Sequence, residues 1–189
     1  MPWPTLLHTP RLTLRPLVEG DLPVLVRELG RWEVAEWLIR VPHPYAEADA
    51  RWWLEDCAAK EASGDRFHRA ICLRGAEDTI LGAAAIGVND FAPGDGELGY
   101  WLTPAAWGRG IMTEAAGALV DAAFREIGMV RVRSAADPGN HGSNAVLRKL
   151  GFRLDRVDPA APRYLRGDPG PMNLYRLDRH DWEARHGRG

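Results

Sequence analysis

The sequence is short of several things, and each shortage closes a door. Cysteine occurs only at Cys57 and Cys72, with neither metal-ligand nor disulfide-framework spacing, so two buried free thiols are expected. No apolar run reaches the length of a membrane span and no signal-peptide pattern opens the chain, which points to the cytoplasm. A net charge of only −2 provides no strong field for nucleic acid or an anionic membrane. The 6 histidines lack ligand spacing, so no metal is expected. Two nucleotide signatures are also missing. There is no Gly-x-x-x-x-Gly-Lys-Ser/Thr, and Thr113 stands where a dinucleotide fingerprint would place its third glycine, which argues against an oxidoreductase. Tryptophan is the exception, with 8 residues, of which Trp3, Trp32, Trp37, Trp52 and Trp53 precede the glycine-rich motifs. Tryptophan supplies both core volume and ligand-facing surface.

The 189 residues, 46% hydrophobic and 26% charged, suit a single domain over 1–189 with its core at about 9–178. Alternation predicts strands over 12–17, 67–73, 80–88, 97–102, 130–134, 152–157 and 172–177. Helical spacing predicts a helix from Asp21 to Gly30, a short piece over 32–38, and a helix over 46–62 with Trp53, Cys57 and Ala58 on one side. Two more follow, from Ile111 to Gly128 and from His141 to Leu150, the latter capped by Gly151. Residues 42–45 read as a break, 75–78 as a polar turn, 159–171 as a loop, and the Arg/His/Gly tail as frayed. Strands alternating with helices imply an α/β class with a mixed sheet.

One stretch organises the rest: Trp107-Gly108-Arg109-Gly110-Ile111-Met112-Thr113-Glu114-Ala115, with Glu97–Leu102 before it and a helix after it. Two glycines at the mouth of a helix let backbone N–H groups approach a ligand. Those first N–H groups lack internal partners, and the helix dipole adds positive charge, a combination that binds phosphate. The same pattern also suits a helix that merely starts with a glycine turn. Downstream lies Asn140-His141-Gly142-Ser143-Asn144-Ala145-Val146-Leu147-Arg148-Lys149-Leu150-Gly151-Phe152.

Together these stretches resemble the GNAT superfamily of acetyl-CoA-dependent N-acetyltransferases, in its branch similar to the RimJ/RimL ribosomal-protein N-terminal acetyltransferases. Gly99-Tyr100-Trp101-Leu102, the Trp107–Ala115 stretch and the Asn140–Phe152 stretch follow that branch in order, and Thr9–Pro16 matches its leading segment. The resemblance implies the GNAT fold: a mostly antiparallel sheet, helices on both faces, and a central parallel pair splayed at one end to admit the cofactor. It implies that main-chain groups of Gly108, Arg109, Gly110, Ile111, Met112 and Thr113, behind Trp107, cradle a pyrophosphate. Open edges of Trp101, Leu102 and Thr103 would pair with pantetheine, the N–H near Leu102 facing the thioester oxygen. Asn140 would hydrogen-bond pantetheine, and Ser143 would protonate the departing thiolate. Met112 departs from the superfamily's preference for a small residue and narrows the cradle unless its side chain turns away.

The implied reaction is direct transfer of acetyl from acetyl-CoA to a primary amine, on a protein N-terminus or a small molecule. A lysine amine with pKa near ~10.4 is neutral in roughly one molecule in 2,500 at pH 7, an α-amine near ~8 in roughly one in ten. An aliphatic amine therefore needs a base, for which Glu97 is the candidate, although an edge glutamate is also a common solvated residue. Ser143 has a second reading as a helix cap. Tyr100 and Tyr175 are expected in the core or at its rim. Trp32, Trp37 and His43 are candidates for the acceptor pocket, with core packing as the other reading for the tryptophans. A non-catalytic acyl-CoA-binding sensor is the rival function. The number of subunits is not written in the sequence, and a homodimer is kept as a candidate.

Overall fold

Side chains that alternate between apolar and polar suit strands, whose successive residues face opposite sides of a sheet. The computed structural model describes residues 3–88, 90–161 and 169–187. In chain order the elements are β1 (Leu7–His8), β2 (Leu12–Arg15), α1 (Leu22–Leu29), α2 (Trp32–Ala35), α3 (Glu47–Ser63), β3 (Arg66–Leu73) and β4 (Ala76–Val88). They continue as β5 (Asp95–Leu102), α4 (Ile111–Ala122), β6 (Arg131–Ala136), α5 (His141–Leu150), β7 (Arg153–Ala161), β8 (Gly170–Asp178) and α6 (Arg179–His186). The strands form one sheet in the order β1-β2-β3-β4-β5-β6-β8-β7. Every neighbouring pair is antiparallel except β5 with β6.

That parallel pair is short. It joins Asp95 to Arg131, Gly96 to Val132 and Glu97 to Arg133, then stops, although both strands continue. The buried Asp95 carboxylate accepts from Arg133 at 2.9 Å and clasps the paired end. One residue on, the Ser134 hydroxyl donates to Leu98 O (2.9 Å), occupying an acceptor that a backbone N–H would otherwise fill. Beyond it the strands diverge, which is the splay implied by the resemblance.

The two faces of the sheet carry different cores. On one, Leu12, Leu14, Ile86, Leu98 and Val132 pack with Ile111, Ala115 and Leu119 of α4, Leu147 of α5 and Trp182 of α6. On the other, Ala70, Ala83 and Trp101 pack with Leu22, Leu25 and Leu29 of α1, Val34 of α2 and Ala50 of α3. No described helix is long and apolar enough to cross a membrane.

Several local expectations give way. The turn before β4 tightens around Gly75 (φ 79°), so Ala76–Asp78 are strand. The short helix stops at Ala35 rather than reaching Leu38. On α3 the inward side is Ala50, Trp53, Leu54 and Cys57, and Ala58 is exposed. The central helix ends in a π-turn, Ala123–Ile127, before Gly128. Pro159, Ala160, Ala161, Gly170 and Pro171 belong to β7 and β8 instead of a loop; the rest of that loop apart from Pro169 lies outside the described residues. The tail is not frayed over Arg179–His186. It is α6, held by Trp182 Nε1 donating to Asp121 (2.7 Å) and by Arg179 donating to Phe124 O and Met129 O.

Candidate active site

The mouth of α4 is built by two glycines in left-handed conformations, Gly108 (φ 71°) and Gly110 (φ 75°), which cost other residues roughly 1 kcal/mol. A Cβ on Gly108 would meet nothing within 4 Å, so this turn borders open space. The first intrahelical bond is Glu114 N–H to Gly110 O (3.1 Å), and no side chain among the described residues caps the helix. The N–H groups of Ile111, Met112 and Thr113 therefore lie ahead of the helix's own ladder. Met112 is buried in the core beside α4, so its side chain turns away from this mouth.

Glu114 fixes the loop from behind. Its carboxylate accepts from the Thr9 hydroxyl, from Arg11 N–H (2.9 Å) and from Arg11 Nε (2.6 Å). Burial works against its ionised form, but those bonds outweigh it and hold the carboxyl below its ordinary range. Arg11 Nη1 donates to Arg109 O (3.1 Å), and Nη2 lies 3.5 Å from the place of a Gly110 Cβ. The leading Thr9–Arg11 segment thus puts a fixed cation beside the glycine turn, a contact across 98 residues that no local pattern announces.

The opened edge of β5 is selective. Thr103 N–H donates to Leu81 O (2.7 Å), so Thr103 faces β4, not the splay. By the two-residue period of a strand, Trp101 turns its backbone the same way, while Leu98, Tyr100 and Leu102 face the splay. Leu98 O is already taken by Ser134, and Leu102 O accepts from the indole of Trp107 (2.8 Å). Among the described residues this leaves open the N–H and C=O of Tyr100 and the N–H of Leu102. The expected edge of Trp101, Leu102 and Thr103 is corrected to Tyr100 and Leu102.

On the α4 face, Tyr100 and Ser143 meet. Their hydroxyls share a hydrogen bond of 2.9 Å. Burial pushes the Tyr100 phenol up to about 12, so it stays protonated at neutral pH. Asn140 is the cap of α5, its Oδ1 accepting from Ser143 N–H (3.0 Å), which leaves the Ser143 hydroxyl free of capping. Asn144 anchors the same turn. Its amide donates to Asp137 O and Asn140 O and accepts from Asn173 and Tyr175, the last at 2.7 Å. Tyr175 is thereby a core residue.

Glu97 lies on the other face, with Gly99 and Trp101. It accepts from Arg66 Nη2 at 2.7 Å, and Asp90 accepts from the same nitrogen at 3.2 Å. Burial raises the Asp90 carboxyl above its ordinary range against the pull of Arg66. Trp37 packs its ring over Gly139, where a Cβ would stand 3.7 Å away, and so reaches the loop before α5. Trp32 and His43 pack edge-on against each other, 5.2 Å apart, at the surface. Among the described residues no group of three or more His, Cys, Asp or Glu is placed to hold a metal.

The chain that builds this site matches a known family: the acetyltransferase (GNAT) domain covers residues 11–153. The chain belongs to the GNAT acetyltransferases. It is 28% identical over 150 residues to the uncharacterized N-acetyltransferase p20 of Bacillus licheniformis, covering 79% of this chain and 83% of that protein. Mycobacterium smegmatis RimJ, solved with CoA-disulfide, superposes at a TM-score of 0.77 with 22% identity, over 94% of this chain and 90% of RimJ. RimL, a ribosomal L7/L12 alpha-N-protein acetyltransferase solved with coenzyme A, gives 0.78 and 23%, over 93% and 97%. These two likenesses establish a shared fold for this N-acetyltransferase.

Proposed function

We propose that the protein transfers acetyl from acetyl-CoA directly to a primary amine, on a protein N-terminus or a small molecule, within a ternary complex. The observation that carries this reading is the pairing of an uncapped α4 mouth with an open edge at Tyr100 and Leu102 of β5, the strand that leads into it. Donors at that mouth, with Arg11 beside them, suit a pyrophosphate. The free edge suits the amides of pantetheine, as an added strand. RimJ and RimL, both solved with CoA or its disulfide, support the same cofactor.

Bound there, acetyl-CoA supplies an activated acetyl thioester. The chain's own groups then divide the work. The N–H groups of Tyr100 and Leu102 are the donors available to a developing oxyanion in the splay. The Ser143 hydroxyl, paired with the protonated Tyr100 phenol, holds a proton for the departing thiolate. Glu97 accepts a proton from the amine on the opposite face, directly or through water. No thiol competes as a nucleophile: burial pushes Cys57 up to about 12 and raises Cys72 as well. The hydroxyl pair and the ion-paired carboxylate at the splay favour turnover over a binding-only sensor.

The test is thiol release from acetyl-CoA over a panel of peptides and small amines, with calorimetry for CoA. Release that rises with one class of amine supports the reading. Tight CoA binding with release indifferent to every amine contradicts it.

A further inference from the structure

The α1/α3 face of the sheet around β5 is lined by small residues. Ala83, Ala85 and Gly87 of β4 stand in register with Trp101, Gly99 and Glu97 of β5, and with Ala70, His68 and Arg66 of β3. A Cβ on Gly99 would meet only one atom within 4 Å, Arg66 Nη1 at 3.9 Å. Space therefore lies above Gly99, one residue past Leu98, where the splay opens. Arg66 borders that space with its side chain only 15% exposed. Its Nη2 holds Glu97 and Asp90, while Nη1 has no partner among the described residues. Gly87 makes this arrangement feasible, since a Cβ there would lie 1.8 Å from an Asp90 oxygen and 2.6 Å from Arg66 Nη2. Two further buried nitrogens on this face, Trp101 Nε1 and His68 Nδ1, also lack partners among the described residues.

We propose that Arg66 determines acceptor specificity by presenting Nη1 over Gly99 to an oxygen on the substrate that lies beside its amine. This deepens the acetyltransferase reading and rests on it. A guanidinium nitrogen donates and never accepts, and it gains nothing from an aliphatic amine that lacks an oxygen. An α-amino compound places a carbonyl or carboxylate oxygen within about one hydrogen-bond length of its amine nitrogen. With the amine at Glu97, that oxygen falls toward Nη1. A free amino acid and a peptide N-terminus share this chemistry.

The experiment is calorimetric binding, in the presence of CoA, of L-alanine, L-alaninamide, an alanine tripeptide and isopropylamine. The wild type should bind alaninamide at least about tenfold more tightly than isopropylamine, the value of one charge-assisted hydrogen bond. Tripeptide binding as tight as alaninamide's with weaker alanine identifies a peptide N-terminus; the reverse order identifies a free amino acid. In Arg66→Gln the alaninamide preference should fall below about twofold, and Arg66→Lys should restore part of it. A merely structural loss weakens both amines alike and leaves the ratio standing. Gly99→Ala, which fills the space without a clash, should weaken every amine about tenfold while CoA affinity and the melting temperature hold, and it serves if Arg66→Gln does not fold. An unchanged ratio in Arg66→Gln, equal wild-type binding of both amines, or unaltered binding in Gly99→Ala would overturn the proposal. Absence of CoA binding in the wild type would instead defeat the acetyltransferase reading.

Discussion

The two faces of β5 are different kinds of surface, though they belong to the same eight residues. Toward α4, the side chains of Leu98, Tyr100 and Leu102 meet a packed apolar core whose polar exception is a hydroxyl pair, and the same residues turn their backbone into the splay. Toward α1 and α3, Glu97, Gly99 and Trp101 meet small side chains, an arginine clamp and buried nitrogens without partners among the described residues. A face that offers main-chain groups suits a ligand common to many enzymes. A face that offers charged side chains and space suits a ligand particular to this one. Four substitutions sharpen or break that contrast.

The largest effect belongs to the sparse face. Glu97→Gln should lower kcat/KM for the acceptor by about a thousandfold, within the range for a general base, with CoA affinity unchanged. Equal loss of CoA binding would mean that the two faces are not separable. Gly108→Asp probes the other side. Its side chain enters open space, and Asp tolerates a positive φ, so the fold should hold while the added carboxylate weakens CoA roughly a hundredfold by calorimetry. Unchanged affinity would place the anion elsewhere.

His68 tests how dry the sparse face is. Burial, with the Trp53 ring 5.8 Å away, lowers its pKa to about 4. Between that value and the unfolded value near ~6.5 the unfolded chain binds the extra proton, so folding stability falls as pH drops through this window and is fully present above it. From pH 7 to pH 5 the wild type should lose about 2 kcal/mol relative to His68→Gln in urea titrations. Parallel pH profiles for the two would show that this face is wet. The smallest effect is that of Ser143→Ala, roughly tenfold in kcat with CoA affinity kept. Unchanged turnover would remove its proton from the reaction.

What was legible in the sequence divides along the same line. The mouth of α4 is written in consecutive residues, glycine turn then apolar period, because helix starts and phosphate cradles are local. The splayed sheet came through a resemblance spread over ordered motifs. Arg66 and Glu97 lie 31 residues apart and Tyr100 and Ser143 lie 43 apart, so neither pair has a local signature. The choice between Trp101 and Tyr100 at the open edge is one of strand parity, fixed by Thr103 bonding to Leu81 across β4, and alternation alone leaves it undecided. Ser143 suits a helix cap by residue type, whereas Asn140, three residues earlier, performs that role. Helix α6 leaves no apolar period in the sequence, because Trp182 is its only buried residue.

In the proposed complex CoA is gripped by main-chain donors at the α4 mouth and along one parity of β5. Amide hydrogen exchange with and without CoA reads those donors one by one. The account predicts that Ile111, Met112, Thr113, Tyr100 and Leu102 exchange readily in the free protein and slow on CoA binding, while Thr103 and Trp101 are protected in both states. Exchange at Tyr100 and Leu102 that is indifferent to saturating CoA would contradict it.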